Sequence, residues 1–125
     1  MAHQKPGLGA KEWAVNFNGI YLATFLFICS KNQWRSPTAE LLFRNYPVHT
    51  ASSAGTSDKA RIRVNQKIID RADVVFVMER KHKQLLSQRF DMADKQLIVL
   101  DIEDNYQFND PELIGLLRVA LEEYL

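Results

Sequence analysis

From residue 23 onward, short apolar runs take turns with stretches of helical spacing. Ala23-Thr24-Phe25-Leu26-Phe27-Ile28 predicts a buried strand over 23–28, and a helix follows over 37–45. Next come a short strand over 49–53 and a helix over about 59–71, with Ile62, Val64, Ile68 and Ile69 as its apolar positions. A strand over 73–78, a helix over about 80–90 and a strand over 96–100 continue the alternation. Asp110 and Pro111 stand in cap and first-position order and open a last helix. Its Leu113, Ile114, Leu117, Val119-Ala120-Leu121 and Leu125 form a stripe read as core. Such alternation predicts an α/β domain built on a four-stranded parallel sheet with helices on both faces. Right-handed crossovers make the strand order 2-1-3-4. In open α/β sheets the site lies beyond the carboxyl ends of the strands, at the switch point. The loop after the first strand, Ser53, Glu79 and the segment 101–106 all follow strand ends, so four distant segments are expected to converge.

Residues 1–22 read as an extension before a single domain over 23–125. Gln4-Lys5-Pro6-Gly7-Leu8-Gly9 has the composition of a flexible tail. Trp13, Val15 and Phe17 alternate, and Asn18-Gly19 is a hairpin turn signal before Ile20-Tyr21-Leu22. This predicts either an added hairpin or sequence upstream of a later natural start. A length of 125 residues is that of one domain, and 46% apolar content is ordinary for a globular core. With 16 basic and 15 acidic residues, the net charge of +1 gives no general pull towards nucleic acid or a membrane. Lys59, Arg61, Arg63, Lys67, Arg71, Arg80, Lys81 and Lys83 crowd the middle third; solvated helix faces are the expectation, over an anionic partner. One cysteine excludes an intramolecular disulfide and fits a reducing, cytoplasmic setting. No stretch approaches the ~18 apolar residues of a membrane span, and the N-terminus lacks the compact apolar core of a secretory signal.

The chemistry sits in Cys29-Ser30-Lys31-Asn32-Gln33-Trp34-Arg35-Ser36-Pro37, between the first strand and the first helix. Strand, tight loop and helix in that order make an anion cradle, because loop amides and the helix N-terminus point at one place. A cysteine at its base can attack phosphorus, and an arginine at its end can hold two phosphate oxygens with its fork. The helix dipole, Arg35 and the loop amides favour the thiolate, which is the nucleophile. Ser36 is placed to cap the helix, with Pro37 at the first position, and its hydroxyl could also donate to the sulfur. Asn32 is a residue type that tolerates a left-handed backbone. The plainer reading is a buried structural cysteine at a strand end; the arginine and Ser-Pro at this spacing argue against it.

These residues resemble the low-molecular-weight protein tyrosine phosphatases, whose loop reads Cys-x-Gly-Asn-x-Cys-Arg-Ser-Pro followed by x-Ala-Glu. Cys29, Asn32, Arg35, Ser36, Pro37, Ala39 and Glu40 match. Ser53-Ala54-Gly55-Thr56 resembles the family's Ser-Ala-Gly-Thr, and Ala72–Glu79 resembles its third strand. Ile102-Glu103-Asp104-Asn105-Tyr106 resembles the Asp-Pro-Tyr loop that carries the acid. The resemblance covers roughly 23–125 and implies a flavodoxin-like phosphatase fold. Lys31 stands where the family has glycine, Gln33 where it has Ile or Thr, Trp34 where it has a second cysteine, and Asn105 where it has proline. The long variable loop after Ser-Ala-Gly-Thr is nearly absent, and Ser57-Asp58-Lys59-Ala60-Arg61 carries no counterpart of the family's histidine.

What the resemblance implies is a cysteine-dependent phosphomonoesterase, foremost a protein tyrosine phosphatase, that needs no metal or cofactor. Cys29 attacks, Arg35 and the amides of Ser30, Lys31, Asn32, Gln33 and Trp34 bind the phosphoryl group, and Ser36 assists the sulfur. Asp104 matches the acid, with Asp101 as its rival; Asp110 is better explained as a helix cap. Tyr106, Trp34 and Ser53 are the expected pocket residues, and Trp34 either walls the pocket or packs under the loop. His49 and His82 are read as structural or solvent-facing. The partner is a phosphorylated protein or a small phosphate ester; phosphotyrosine and phosphoarginine both fit. The rival functions are a non-catalytic phosphate-binding module and arsenate reduction with an external thiol.

Overall fold

The computed structural model describes residues 14–15, 21–44, 49–93 and 95–124. In chain order the elements are β1 (Ala14–Val15), β2 (Tyr21–Leu22), β3 (Thr24–Cys29), α1 (Arg35–Arg44), β4 (Thr50–Gly55), α2 (Gln66–Arg71), β5 (Val74–Val77), α3 (Arg80–Arg89), β6 (Gln96–Val99) and α4 (Pro111–Ala120), then a 3-10 turn (Glu122–Tyr124). β1 and β2 pair antiparallel, with Ala14 opposite Leu22 and Val15 opposite Tyr21. The Asn18-Gly19 turn signal lies outside the described residues.

The main sheet is parallel, in the order β4-β3-β5-β6. Counted along the chain this is 2-1-3-4, as the alternation predicts. β3 is central and apolar on both faces, as a strand covered by helices on both sides has to be. On one face Phe25, Phe27, Phe76 and Met78 pack with Leu42 and Phe43 of α1 and Leu113 and Leu117 of α4. Phe27 stacks on Phe76 at 5.1 Å, while Phe25 meets Phe43 and Phe76 edge-on. On the other face Leu26, Ile28, Val75 and Val77 pack with Ile69 of α2 and Leu86 of α3. His49 is buried beside Phe25, and its Nδ1 accepts the Ala23 N–H.

The helices differ from the periodicity in three places. The helix expected over 59–71 is confined to Gln66–Arg71, because the backbone before it is engaged elsewhere. The Gly55 N–H donates to Ile62 O, and the Val64 N–H donates back to Gly55 O. Asn65 then caps the short helix through its side chain, and Ile62 is left exposed. The first helix starts at Arg35, because the Trp34 carbonyl already accepts the Thr38 N–H. Pro37 therefore lies inside the first turn, where no amide is missed. The last helix stops at Ala120, followed by the 3-10 turn that buries Tyr124. Leu113, Leu117 and Leu121 share its inner face at four-residue spacing, so Val119 is 76% exposed and is not part of the core. Among the described residues no helix is long and apolar enough to cross a membrane.

The ring of Phe25 ties three elements together, meeting Phe43, Phe76 and Tyr124. Phe25→Ala should therefore lower the unfolding free energy by about 3–5 kcal/mol in a urea titration. A loss below about 1 kcal/mol would show that the aromatic cluster is not what holds α1 and α4 to the sheet.

Candidate active site

The loop from Cys29 to Trp34 curls because its carbonyls are taken from outside. Cys29 O accepts from the Thr56 N–H at 3.0 Å, Ser30 O from Ser57 at 2.9 Å, and Lys31 O from Arg61 at 3.0 Å. Asn32 O accepts from Nε of Arg61 at 3.0 Å. Four successive carbonyls thus face the segment after β4, which turns loop amides towards the opposite side, as in an anion nest. Asn32 sits at φ +56°, the left-handed geometry its residue type predicts. The close approach needs glycine at position 55: a Cβ there would collide with Ser30 O and crowd the Asn32 nitrogen.

The sulfur of Cys29 is buried at the base of the loop, 3.0 Å from Ser36 Oγ and 3.3 Å from the Asn32 nitrogen, whose N–H donates to it. A chain of hydrogen bonds sets which way the Ser36 proton points. Glu40 accepts from Ser53 Oγ at 2.5 Å, which uses the Ser53 proton. Nδ2 of Asn32 can then donate both to Ser53 Oγ (2.8 Å) and to Ser36 Oγ (2.9 Å). The Ser36 hydroxyl proton has two acceptors in reach, the Cys29 sulfur at 3.0 Å and Ala54 O at 3.5 Å, and the sulfur is the nearer. Ser36 is thus a partner of the Cys29 sulfur and not the helix cap, since the helix begins one residue before it.

Arg35 is 2% exposed and is held from behind. Its Nη1 donates to Glu79 Oε2 at 2.6 Å and to Ile102 O at 2.7 Å. Nε and Nη2 form the other edge of the guanidinium, which meets Asp104 at Nε and has the geometry to hold two oxygens of an anion. Burial pushes the Glu79 carboxyl up, but the Arg35 hydrogen bond and charge, with Lys81 and His82, pull it below its ordinary value. Behind the loop lies His82, fully buried. Its Nδ1 accepts the Glu79 N–H at 3.1 Å, and its Nε2 is 2.9 Å from Ser30 Oγ. Burial, and then the Arg35 charge, lower its pKa to about 4.

A cavity of about 120 Å³ opens over the loop, lined by Cys29, Ser30, Lys31, Gln33, Trp34, Arg35 and Asp104. Asp104 Oδ1 lies 3.5 Å from Arg35 Nε. The loop that carries it is pinned by the Arg35 bond to Ile102 O and by the Asn109 N–H, which donates to Thr38 Oγ1 at 2.8 Å. These two anchors hold Asp104 where the family has a proline after the acid. Asp101 is exposed, at φ +57°, and does not line the cavity. Asp110 caps α4. Among the described residues no group of three or more His, Cys, Asp or Glu side chains is gathered for a metal.

Two expected pocket residues lie elsewhere. Ser53 is buried behind the loop in the Asn32 network, since its side chain points towards α1 and Glu40. Tyr106 packs partly buried against the core cluster of Phe25 and Phe76 and does not line the cavity; its loop turns back towards Thr38. The aromatic wall is Trp34, 42% exposed at the cavity mouth. The sequence reading gave no role to the side chains of Glu40, Arg61 and Glu79, and gave His82 no contact with the loop. Glu79 and His82 carry a readable signal, a strand-end carboxylate three residues before a histidine at a helix start. The remaining basic residues of the middle third lie on exposed faces.

No protein-family model matches the sequence, and no curated protein matches it. Solved structures share its architecture. The tyrosine phosphatase Wzb from Escherichia coli K30 is 22% identical, with a TM-score of 0.68 over 82% of this chain and 95% of that one. A low-molecular-weight protein tyrosine phosphatase from T. tengcongensis is 23% identical, with a TM-score of 0.63 over 82% and 99%. The YwlE arginine phosphatase from Geobacillus stearothermophilus is 25% identical, with a TM-score of 0.57 over 81% and 84%. The chain has the flavodoxin-like α/β fold of these phosphatases.

Buried His82 makes stability depend on pH. Its folded value of about 4 lies below the ordinary 6.5, so between these values the unfolded chain binds a proton that the folded protein does not. Its contribution is complete above about 6.5 and should be lost as pH falls towards 4, by about 3 kcal/mol in all. Glu79, depressed below 4.5, adds a further loss beneath that value. Urea titrations from pH 7 to pH 4 should show the slope, and His82→Gln should flatten its upper part; an unchanged slope would locate the titrating group elsewhere.

Proposed function

We propose that the protein is a cysteine-dependent phosphomonoesterase, acting on phosphotyrosine or a comparable aryl phosphate in a protein. One observation carries the reading: four loop carbonyls are tied outward around a buried sulfur, while a guanidinium clamped from behind turns its Nε–Nη2 edge to the Asp104 side of the cavity, where an anion would bind. A tetrahedral oxyanion over the loop would meet the loop amides other than that of Asn32, which donates to the sulfur, and the Nε–Nη2 edge of Arg35. The similarity to phosphatases of known structure supports the same reading.

In this mechanism the Cys29 thiolate attacks phosphorus in line with the ester oxygen. The S–P bond forms as the P–O bond breaks, and Asp104 gives its proton to the departing oxygen. Asp104, now a carboxylate, takes a proton from water, and that water attacks phosphorus. The S–P bond breaks, phosphate is released, and Ser36 Oγ stabilises the returning thiolate. Trp34 flanks the aryl group at the mouth. Residues Cys29, Arg35, Ser36 and Asp104 act on the reacting atoms, and no step calls on a metal or cofactor.

Turnover and binding should separate in two variants. Cys29→Ser should abolish hydrolysis of nitrophenyl phosphate while phosphate still binds. Arg35→Lys should lose most of both, because a point charge cannot replace two parallel donors. An active Cys29→Ser protein would rule out the nucleophile; if the wild type binds phosphate but never turns over, a binding module is the function.

The acid has its own signature. Asp104→Asn should slow hydrolysis of an alkyl or phenyl phosphate by about 10²-fold or more, the usual scale for general acid catalysis. Nitrophenyl phosphate should suffer less, since its leaving oxygen needs less protonation. Measuring Asp104→Asn and Asp101→Asn on both substrates decides the assignment: leaving-group dependence in Asp101→Asn alone would transfer the role to Asp101.

A further inference from the structure

Ser30 belongs to the cavity lining, yet its side chain is also gripped from below. Among the described residues His82 is the one hydrogen-bond partner of Ser30 Oγ, at 2.9 Å across 52 positions of sequence. The direction of that bond can be worked out. Nδ1 of His82 accepts the Glu79 N–H, so it carries no proton. The neutral ring then has its single proton on Nε2 and donates it to Ser30 Oγ. Ser30 accepts from His82 and cannot donate to it, so its own proton is left for another acceptor. The cavity that Ser30 lines is where an anion would supply one.

We propose that the Ser30 hydroxyl is an additional donor to the phosphoryl oxygens, and that His82 is the positioning residue that turns it towards them. This rests on the phosphatase reading and adds a side-chain contact to a loop otherwise described by its amides and Arg35. Glu79 is the shared support: its carboxylate clamps Arg35 from behind, and its backbone N–H fixes the His82 tautomer. One residue at the end of β5 therefore aims two donors at one anion.

The test is a double-mutant cycle read by calorimetric titration of inorganic phosphate into the full chain. Ser30→Ala should weaken phosphate binding roughly tenfold, the scale of a hydrogen bond to a charged group. His82→Phe should weaken it by a comparable factor in the wild type but by less than about twofold when Ser30 is already alanine. His82→Gln, which offers an amide N–H near the position of Nε2, should restore most of the affinity. Equal effects of His82→Phe in both backgrounds, or unchanged affinity in Ser30→Ala, would overturn the proposal. If His82→Phe does not fold, Ser30→Ala and the cycle built with His82→Ala decide it in the same way. A wild type that binds phosphate with a flat cycle removes this inference alone, whereas one that binds no phosphate removes the phosphatase reading with it.

Discussion

A loop can present its amides to an anion only if its carbonyls find partners on the other side. Here those partners come from the segment after β4, which accounts for Cys29, Ser30, Lys31 and Asn32 in turn. The arrangement depends on the close approach at Gly55, where β4 runs beside the end of β3 and leaves no room for a Cβ. It also explains why residues 59–64 are not helical. The amides of Arg61 and Val64 and the carbonyl of Ile62 are committed to Lys31 and Gly55, and the helix begins after Asn65.

Two carboxylates behind the loop give the site its polarity. An ionised carboxylate only accepts hydrogen bonds, so it fixes the direction of every hydroxyl and amide linked to it. Glu40 orders Ser53, Asn32 and Ser36 and leaves the Ser36 proton for the Cys29 sulfur. Glu79 holds one nitrogen of Arg35 from behind, and the other edge of the guanidinium meets Asp104 at Nε. The neutral His82 extends this ordering to Ser30. Because Asn32, Arg35, Ser36, Ser53 and His82 are buried, a misdirected partner for any of them would be costly.

The loop over 29–34 and the loop that carries Asp104 are joined through Arg35 and the first turn of α1. Ile102 O accepts from Arg35, and the Asn109 N–H donates to Thr38, so the segment carrying Asp104 is fastened at both ends. The left-handed geometries at Asp101 and Asn109 let the chain turn at the two ends of this segment. Such fastening supplies locally what a proline after the acid would supply through a stiffer backbone.

Much of this was legible in the chain itself. Apolar runs and their spacing determined four strands, the parallel order and the helices that cover both faces, because these depend on burial and handedness. The spacing of Cys29, Asn32, Arg35 and Ser36 determined the cradle, since loop and helix start are local in sequence. Asn32 even carried its left-handed backbone in its residue type. Tertiary structure decided what periodicity cannot see. The apolar pattern over 59–71 is helical, but backbone partners from Gly55 and the phosphate loop outcompete the helix over its first half. Ser53 lies inside β4 and not past its end, and its side chain points to Glu40 and not to the cavity. Tyr106 is two residues from Asp104, yet its ring packs on the core. The roles of Glu79 and His82 rest on bonds to residues 44 and 52 positions away. The three-residue spacing of Glu79 and His82 is readable in the chain, but which distant residues they hold is revealed only by the fold.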